Sequence, residues 1–160
     1  MIVAHILADK GSDVITIEPE RTLADAARLL AERRIGAVVV ADAQHPVQGI
    51  ISERDIARAV ARRGAAALQE PVSQHMTTKL FTCTRACTVS QIMEIMTDQK
   101  VRHVPVVEGG RLGGIISIGD IVKHRLAEME AEQRAMGDYS GGVSTPGSRF
   151  RSSASRTAIA

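Results

Sequence analysis

The chain has 160 residues, 44% of them hydrophobic and 24% charged, with a formal net charge of +2; this is the size and balance of a folded globular protein with a real core. Aromatic residues make up only 2% and Trp is absent, so the core is aliphatic, and a single-strand nucleic-acid platform, which stacks bases on aromatic faces, is disfavoured. No apolar run approaches the roughly 20 residues of a membrane span, the N-terminus does not read as a signal peptide, and Cys83 and Cys87 are too few for a disulfide scaffold, so a cytoplasmic protein with free thiols is expected.

The first residues, Val3-x-x-Ile6-Leu7-x-x-Lys10, lead into a strand at 14–17. Thr22 stands where a helix N-cap belongs, ahead of Leu23, Ala26, Ala27 and Leu30, the i, i+3, i+4, i+7 stripe of a one-sided helix. Strands follow at 37–40 and 49–51, separated by a polar turn, and a closing helix starts near Ser52. After a joint at 64–71 the same order returns. Val72-x-x-His75-Met76-x-x-Lys79 leads into a strand at 80–83, and Thr88 with Gln91 three residues later forms a capping-box pattern. Val89, Ile92, Met93 and Met96 mark the next helix, strands follow at 104–107 and 114–116, and a long helix runs from Asp120 to about Met136. Its Ile121, Val122, Leu126 and Met129 are expected to supply part of a subunit contact.

The repetition is visible residue by residue. GIISERDI at 49–56 matches GIISIGDI at 114–121, an offset of 65. Thr16 and Thr82, Thr22 and Thr88, Val38 and Val104, and Val40 and Val106 match at an offset of 66. The two lead-in segments match at 69, with residues 11–13 as the extra three. The expected fold is α/β (α+β): two tandem β-α-β-β-α repeats, 1–66 and 67–136, packed about a pseudo-two-fold axis, followed by a flexible, disordered Gly/Ser/Arg tail at 137–160. Each sheet covers one face with its own helices and buries the other against the sister repeat, which leaves two related clefts of the kind that hold small molecules.

The sharpest chemical signal is Ser-x-x-Asp, present as Ser52 with Asp55 and as Ser117 with Asp120, each directly after Gly-Ile-Ile. A hydroxyl and a carboxylate at a helix start can grip a vicinal diol beside exposed backbone N–H groups. The same residues are also good helix caps. The two readings are compatible, and spacing alone does not choose between them.

GIISERDI, GIISIGDI, the run 100–107 (KVRHVPVV), the element order and the repeat length together make the chain resemble a CBS-domain pair, the tandem module named after cystathionine β-synthase, over roughly residues 1–130. The resemblance implies a regulatory module that binds AMP, ADP, ATP, NAD or S-adenosylmethionine between the repeats, with no cofactor required. It makes Ser52, Asp55, Ser117 and Asp120 the ribose groups and sets strand residues such as Pro105 around the base. Arg54, Arg102 and His103 become phosphate candidates, Arg because its planar fork suits phosphate oxygens. Thr16 and Thr82 are placed at the base edge. Gly36 and Ala37 stand where Arg102 and His103 stand in the second copy, and Gly119 stands where Arg54 does, so the two clefts are expected to differ. Lys10, Lys79 and Lys123 are read as exposed lysines, with phosphate contact as the alternative.

No nucleophile–base pair, Walker loop or metal cluster is legible, so the chain is not expected to be an enzyme. It is expected to carry no attached catalytic or transport domain and to form a homodimer that acts alone or on a protein encoded elsewhere. The alternative reading is a non-catalytic, homodimeric assembly module whose clefts stay empty.

Overall fold

A computed structural model of the chain describes residues 1–139 apart from Ser12, with side chains described as far as Gly137. The expected tail lies outside the described residues from 140 onward. The chain divides into two compact units, residues 1–125 and 126–160, and the strands and cores of both repeats lie in the first. No helix among the described residues is long and apolar enough to cross a membrane.

The elements, in chain order, are α1 (Val3–Lys10), β1 (Thr16–Ile17), α2 (Leu23–Arg33), β2 (Ala37–Val40), β3 (Gly49–Ser52) and α3 (Glu53–Arg63), then α4 (Val89–Gln99), β4 (His103–Glu108), β5 (Arg111–Ser117) and α5 (Ile118–Tyr139). The expected joint is ordered as a 3-10 helix, Gly64–Gln69, with a second one at Val72–Gln74. In the first repeat β1 pairs parallel to β2 and β2 antiparallel to β3. In the second, β4 and β5 are antiparallel. The strand expected at 80–83 contracts to one parallel bridge, Cys83 to Val106, because one pair of backbone bonds at Cys83 makes a bridge and not a ladder. The closing helix runs past Met136 to Tyr139, since Gly137 weakens a helix without being obliged to end it.

The helix starts follow the threonines. The Asp25 N–H donates to Thr22 Oγ1 at 3.1 Å, and Thr22 N–H donates back to Asp25 Oδ2 at 3.3 Å. Thr88 and Gln91 exchange the same two bonds at 3.1 and 2.9 Å. Each box satisfies two N-terminal donors that a helix cannot pair internally.

Strand alternation builds the layers. Val38, Val40 and Ile51 face a core shared with Leu23, Ala26 and Leu30 of α2. Ala37, Val39 and Ile50 point the other way and pack with Leu80, Leu112 and Ile115 of the second repeat. The face left open by one repeat is thus closed by its sister.

The lead-in segments are exchanged between the repeats. Val3, Ile6 and Leu7 of α1 pack in the second core with Ile92, Val104 and Ile116. Ala67 and Val72 pack in the first core. Backbone bonds fix both crossings: Val3 N–H donates to Cys87 O at 2.8 Å and Val89 N–H to Met1 O at 3.0 Å, while Leu23 N–H donates to Glu70 O at 3.0 Å and Val72 N–H to Arg21 O at 2.7 Å. The isolated bridges Ile2–Thr88 and Thr22–Pro71 are the same contact repeated by the pseudo-two-fold axis.

Candidate functional site

Both Ser-x-x-Asp motifs stand at a strand-to-helix junction, β3 to α3 and β5 to α5. Asp55 Oδ2 accepts from Ser52 N–H and from Ser52 Oγ, each at 2.9 Å, and the Asp55 N–H donates to Ser52 Oγ at 3.3 Å. In the second copy Asp120 Oδ2 accepts from Ser117 N–H at 2.9 Å and the Asp120 N–H donates to Ser117 Oγ at 3.2 Å. Both motifs therefore cap their helices, and in each only one carboxylate oxygen is used for the cap.

The two carboxylates then part ways. Asp55 Oδ1 accepts only from the Thr77 hydroxyl, at 3.3 Å. Asp120 accepts the Lys10 ammonium at 2.6 Å, and the same ammonium donates to Ile115 O at 2.7 Å. Burial pushes the Asp120 carboxyl up, but the bonds from Lys10 and from Ser117 N–H, with the charge of Lys10, outweigh it and hold the group below its ordinary 3.8. By repeat position Lys79 corresponds to Lys10, yet Lys79 makes no such pair with Asp55.

A cleft of about 480 Å³ opens beside Ser52 and Asp55. The N-terminal residues of α3 and α5 border it, including Glu53 and Ile118, so two helix N-termini with their positive dipole ends reach its rim. Ile50, Leu80, Phe81 and Val101 supply an apolar wall. Ser117 also lines the cleft, while Asp120 does not. Of the other sequence-derived candidates, Arg54, Arg102 and His103 line this cleft. Thr16 lines a separate surface groove with Arg21 and Asp25. Thr82 is exposed and lines neither cavity, and Pro105 is buried in β4 opposite Ile115.

Sequence reasoning missed Arg58, Thr77 and Lys100, all of which line the cleft. Arg58 carried a signal, since it follows Arg54 by four residues on one helix and shares its face. Lys100 is set by the backbone: it ends α4 in the left-handed conformation at φ 54°, as Arg34 does for α2, and this cap turns the chain toward β4. His103 is half-buried, its Nε2 within 3.6 Å of where a Gly36 Cβ would stand. Burial, then the charge of Lys10, pull its pKa below the ordinary 6.5, with Arg102 adding to the effect and Asp120 and Glu53 opposing it. Cys83 is buried and its thiol is pushed up to about 12, mainly by burial and then by Cys87, which suits a core residue and not a nucleophile.

The CBS-domain family model matches residues 4–62 and 72–127, one match on each repeat. The chain belongs to the CBS-domain family. A CBS-domain-containing protein from Agrobacterium tumefaciens of known crystal structure is 51% identical, with a TM-score of 0.76, over 78% of this chain and 99% of that one. The mitochondrial CBS domain-containing protein CBSX3 of Arabidopsis thaliana is 34% identical over 145 residues, 86% of this chain and 70% of that protein. The CBS domain pair of protein MJ0100, solved in complex with 5′-methylthioadenosine and S-adenosyl-L-methionine, is 25% identical with a TM-score of 0.72, over 80% of this chain and 98% of that one. Likeness to these CBS pairs runs across both repeats, and the cleft lies where the two copies meet.

Proposed function

We propose that this CBS pair is a regulatory, non-catalytic module that binds one adenine nucleotide or related adenosyl ligand per chain, in the cleft beside Ser52 and Asp55. The observation that carries the reading is the unequal state of the two diol-gripping carboxylates. Asp55 faces an open cleft with one oxygen held only by a hydroxyl at 3.3 Å, whereas Asp120 is engaged by an ammonium at 2.6 Å. A ribose diol can displace a weak hydroxyl contact at Asp55 Oδ1, whereas Asp120 has its charge taken up by Lys10 on Oδ2 and does not line the cleft. The adenosyl ligands of the MJ0100 pair support the ligand class. Ile50, Leu80 and Phe81 offer the apolar surface a purine needs. Ligand binding acts on a target by favouring one arrangement of repeats or subunits, in proportion to its differential affinity for the two. We also propose a homodimer, on the strength of the exposed apolar residues Ile118 and Val122 of α5.

Isothermal titration with AMP, ADP, ATP, NAD and S-adenosylmethionine tests this. The expected stoichiometry is one ligand per chain. Asp55→Asn, which keeps a capping side chain, lowers affinity about tenfold to a hundredfold, the worth of a hydrogen bond to a charged group, and Asp120→Asn leaves it unchanged. If no adenosyl ligand binds the folded protein, the clefts are empty and the chain is an assembly module. Binding that depends on Asp120 and not on Asp55 would assign the wrong cleft.

A further inference from the structure

The charge of the cleft goes further than the ribose grip. Arg54, Arg58, Lys79, Lys100 and Arg102 all line it, against two acidic residues, Glu53 and Asp55. The whole chain has a formal excess of only two positive charges, so this one cavity collects more excess positive charge than the entire sequence does. Among the described residues none of the five cationic side chains has a hydrogen-bond or ion-pair partner. Elsewhere some basic side chains find carboxylates, Arg63 with Glu70, Arg28 with Asp25 and Lys10 with Asp120, while others, such as Arg33, Arg62 and Lys123, stand singly on the exposed surface; the five differ in being gathered in one cavity. Like charges gathered without partners around a concave wall repel one another, and the low-dielectric walls concentrate their field on whatever enters. Two helix N-termini add to the same sign of potential.

These cations come from separate parts of the chain. Arg54 and Arg58 are on α3, Lys79 is on the segment between the repeats, Lys100 caps α4, and Arg102 precedes β4. The potential is a property of the assembled cleft, not of one basic run. A neutral or cationic adenosyl compound would satisfy the Ser52–Asp55 grip and leave all five charges unpaired. A polyphosphate tail would pair them.

We infer that the cleft selects a nucleoside polyphosphate, of the ATP or ADP class, over uncharged or sulfonium adenosyl compounds such as 5′-methylthioadenosine and S-adenosylmethionine. The inference rests on the adenosyl-binding reading above and adds the chemical class of the ligand. It sets this chain apart from the MJ0100 pair, whose bound ligands carry no phosphate. Arg102 and Arg54 are suited to bidentate contact with phosphate oxygens, while Lys79 and Lys100 act as point charges.

The test is a titration of the full chain with adenosine, AMP, ADP, ATP, 5′-methylthioadenosine and S-adenosylmethionine, at low and at high salt. Affinity is expected to rise with each phosphate, and ATP binding is expected to weaken with salt while binding of 5′-methylthioadenosine does not. Arg102→Gln and Lys79→Gln, both at exposed positions, should each lower ATP affinity about tenfold, as loss of a charged hydrogen bond does, and leave adenosine unchanged. If S-adenosylmethionine or 5′-methylthioadenosine binds as tightly as ATP, the inference falls and the adenosyl site stands. If none of the six binds, both fall together. Equal loss of adenosine and ATP binding in Arg102→Gln would also overturn the inference, since that pattern marks a disturbed cleft and not a lost phosphate contact.

Discussion

His103 lines the cleft, and its surroundings set the sign of its effect on stability. Burial disfavours the imidazolium, and Lys10 and Arg102 repel it, more than Asp120 and Glu53 attract it. The folded chain therefore binds this proton less well than the unfolded chain, whose histidine keeps its ordinary value of 6.5. Below that value the unfolded state takes up more protons, so the contribution of His103 to stability is present above pH 6.5 and is lost as the pH falls toward the lowered folded pKa. The lowered carboxylates Asp25, Asp42, Glu70 and Asp120 also lose stabilisation on acidification, but only as the pH falls below their ordinary values of 3.8 to 4.5. Melting temperature measured between neutral pH and that acid range should fall for the wild type, and His103→Gln should flatten the fall. An equal slope in the variant would mean that the imidazole is protonated as easily in the fold as out of it.

At the scale of elements, the glycines of the two Gly-Ile-Ile runs explain how the lead-in segments can be exchanged. A Cβ at Gly49 would stand 2.7 Å from Met76 Sδ and 3.0 Å from Thr77 O, and one at Gly114 would stand 2.6 Å from Leu7 Cδ2. Met76 and Leu7 are the same position of the repeat, so each glycine makes room for the segment that belongs, by sequence, to the other copy. Overpacking of this kind costs about 1 to 3 kcal/mol, and both Gly49→Ala and Gly114→Ala should lower the unfolding free energy from denaturant titration by that order. They should differ in binding. At Gly49 the Thr77 backbone must also move, and Thr77 lines the cleft, so Gly49→Ala is expected to weaken binding of the proposed ligand, whereas Gly114→Ala meets only the Leu7 side chain and is expected to spare it. Identical binding by the two variants would contradict the coupling between this packing and the cleft. The strands and helices around these glycines were legible because period and caps are local: β2 falls at 37–40 as read, and both threonine caps stand where the sequence puts them. The exchange was not. Val3, Ile6 and Leu7 reveal that one face of α1 is buried, but a stripe carries no information about which of two similar cores receives it.

For the molecule as a whole, the repeat made the pair of Ser-x-x-Asp motifs legible and also made them look alike. Lysine occupies the corresponding position in both copies, and the pairing of Lys10 alone with a carboxylate depends on side-chain placement across the repeat boundary, which no local pattern encodes. The collected charge of the cleft was hidden for the same reason, being assembled from α3, the inter-repeat segment and the end of α4. A further whole-molecule property is readable from both: α5 keeps Ile121 buried and leaves Ile118 and Val122 exposed at 44% and 52%. This solvent-facing apolar stripe on a helix with a separate buried face supports the proposed homodimer, a two-fold dimer being the commonest closed arrangement of identical chains. Sedimentation analysis should give a dimer for the wild type at micromolar concentration. Val122→Glu should give a monomer with an unchanged melting profile of the repeats, because that side chain contributes nothing to the buried core. A wild-type monomer, or a Val122→Glu variant that stays dimeric, would move the subunit contact off this stripe.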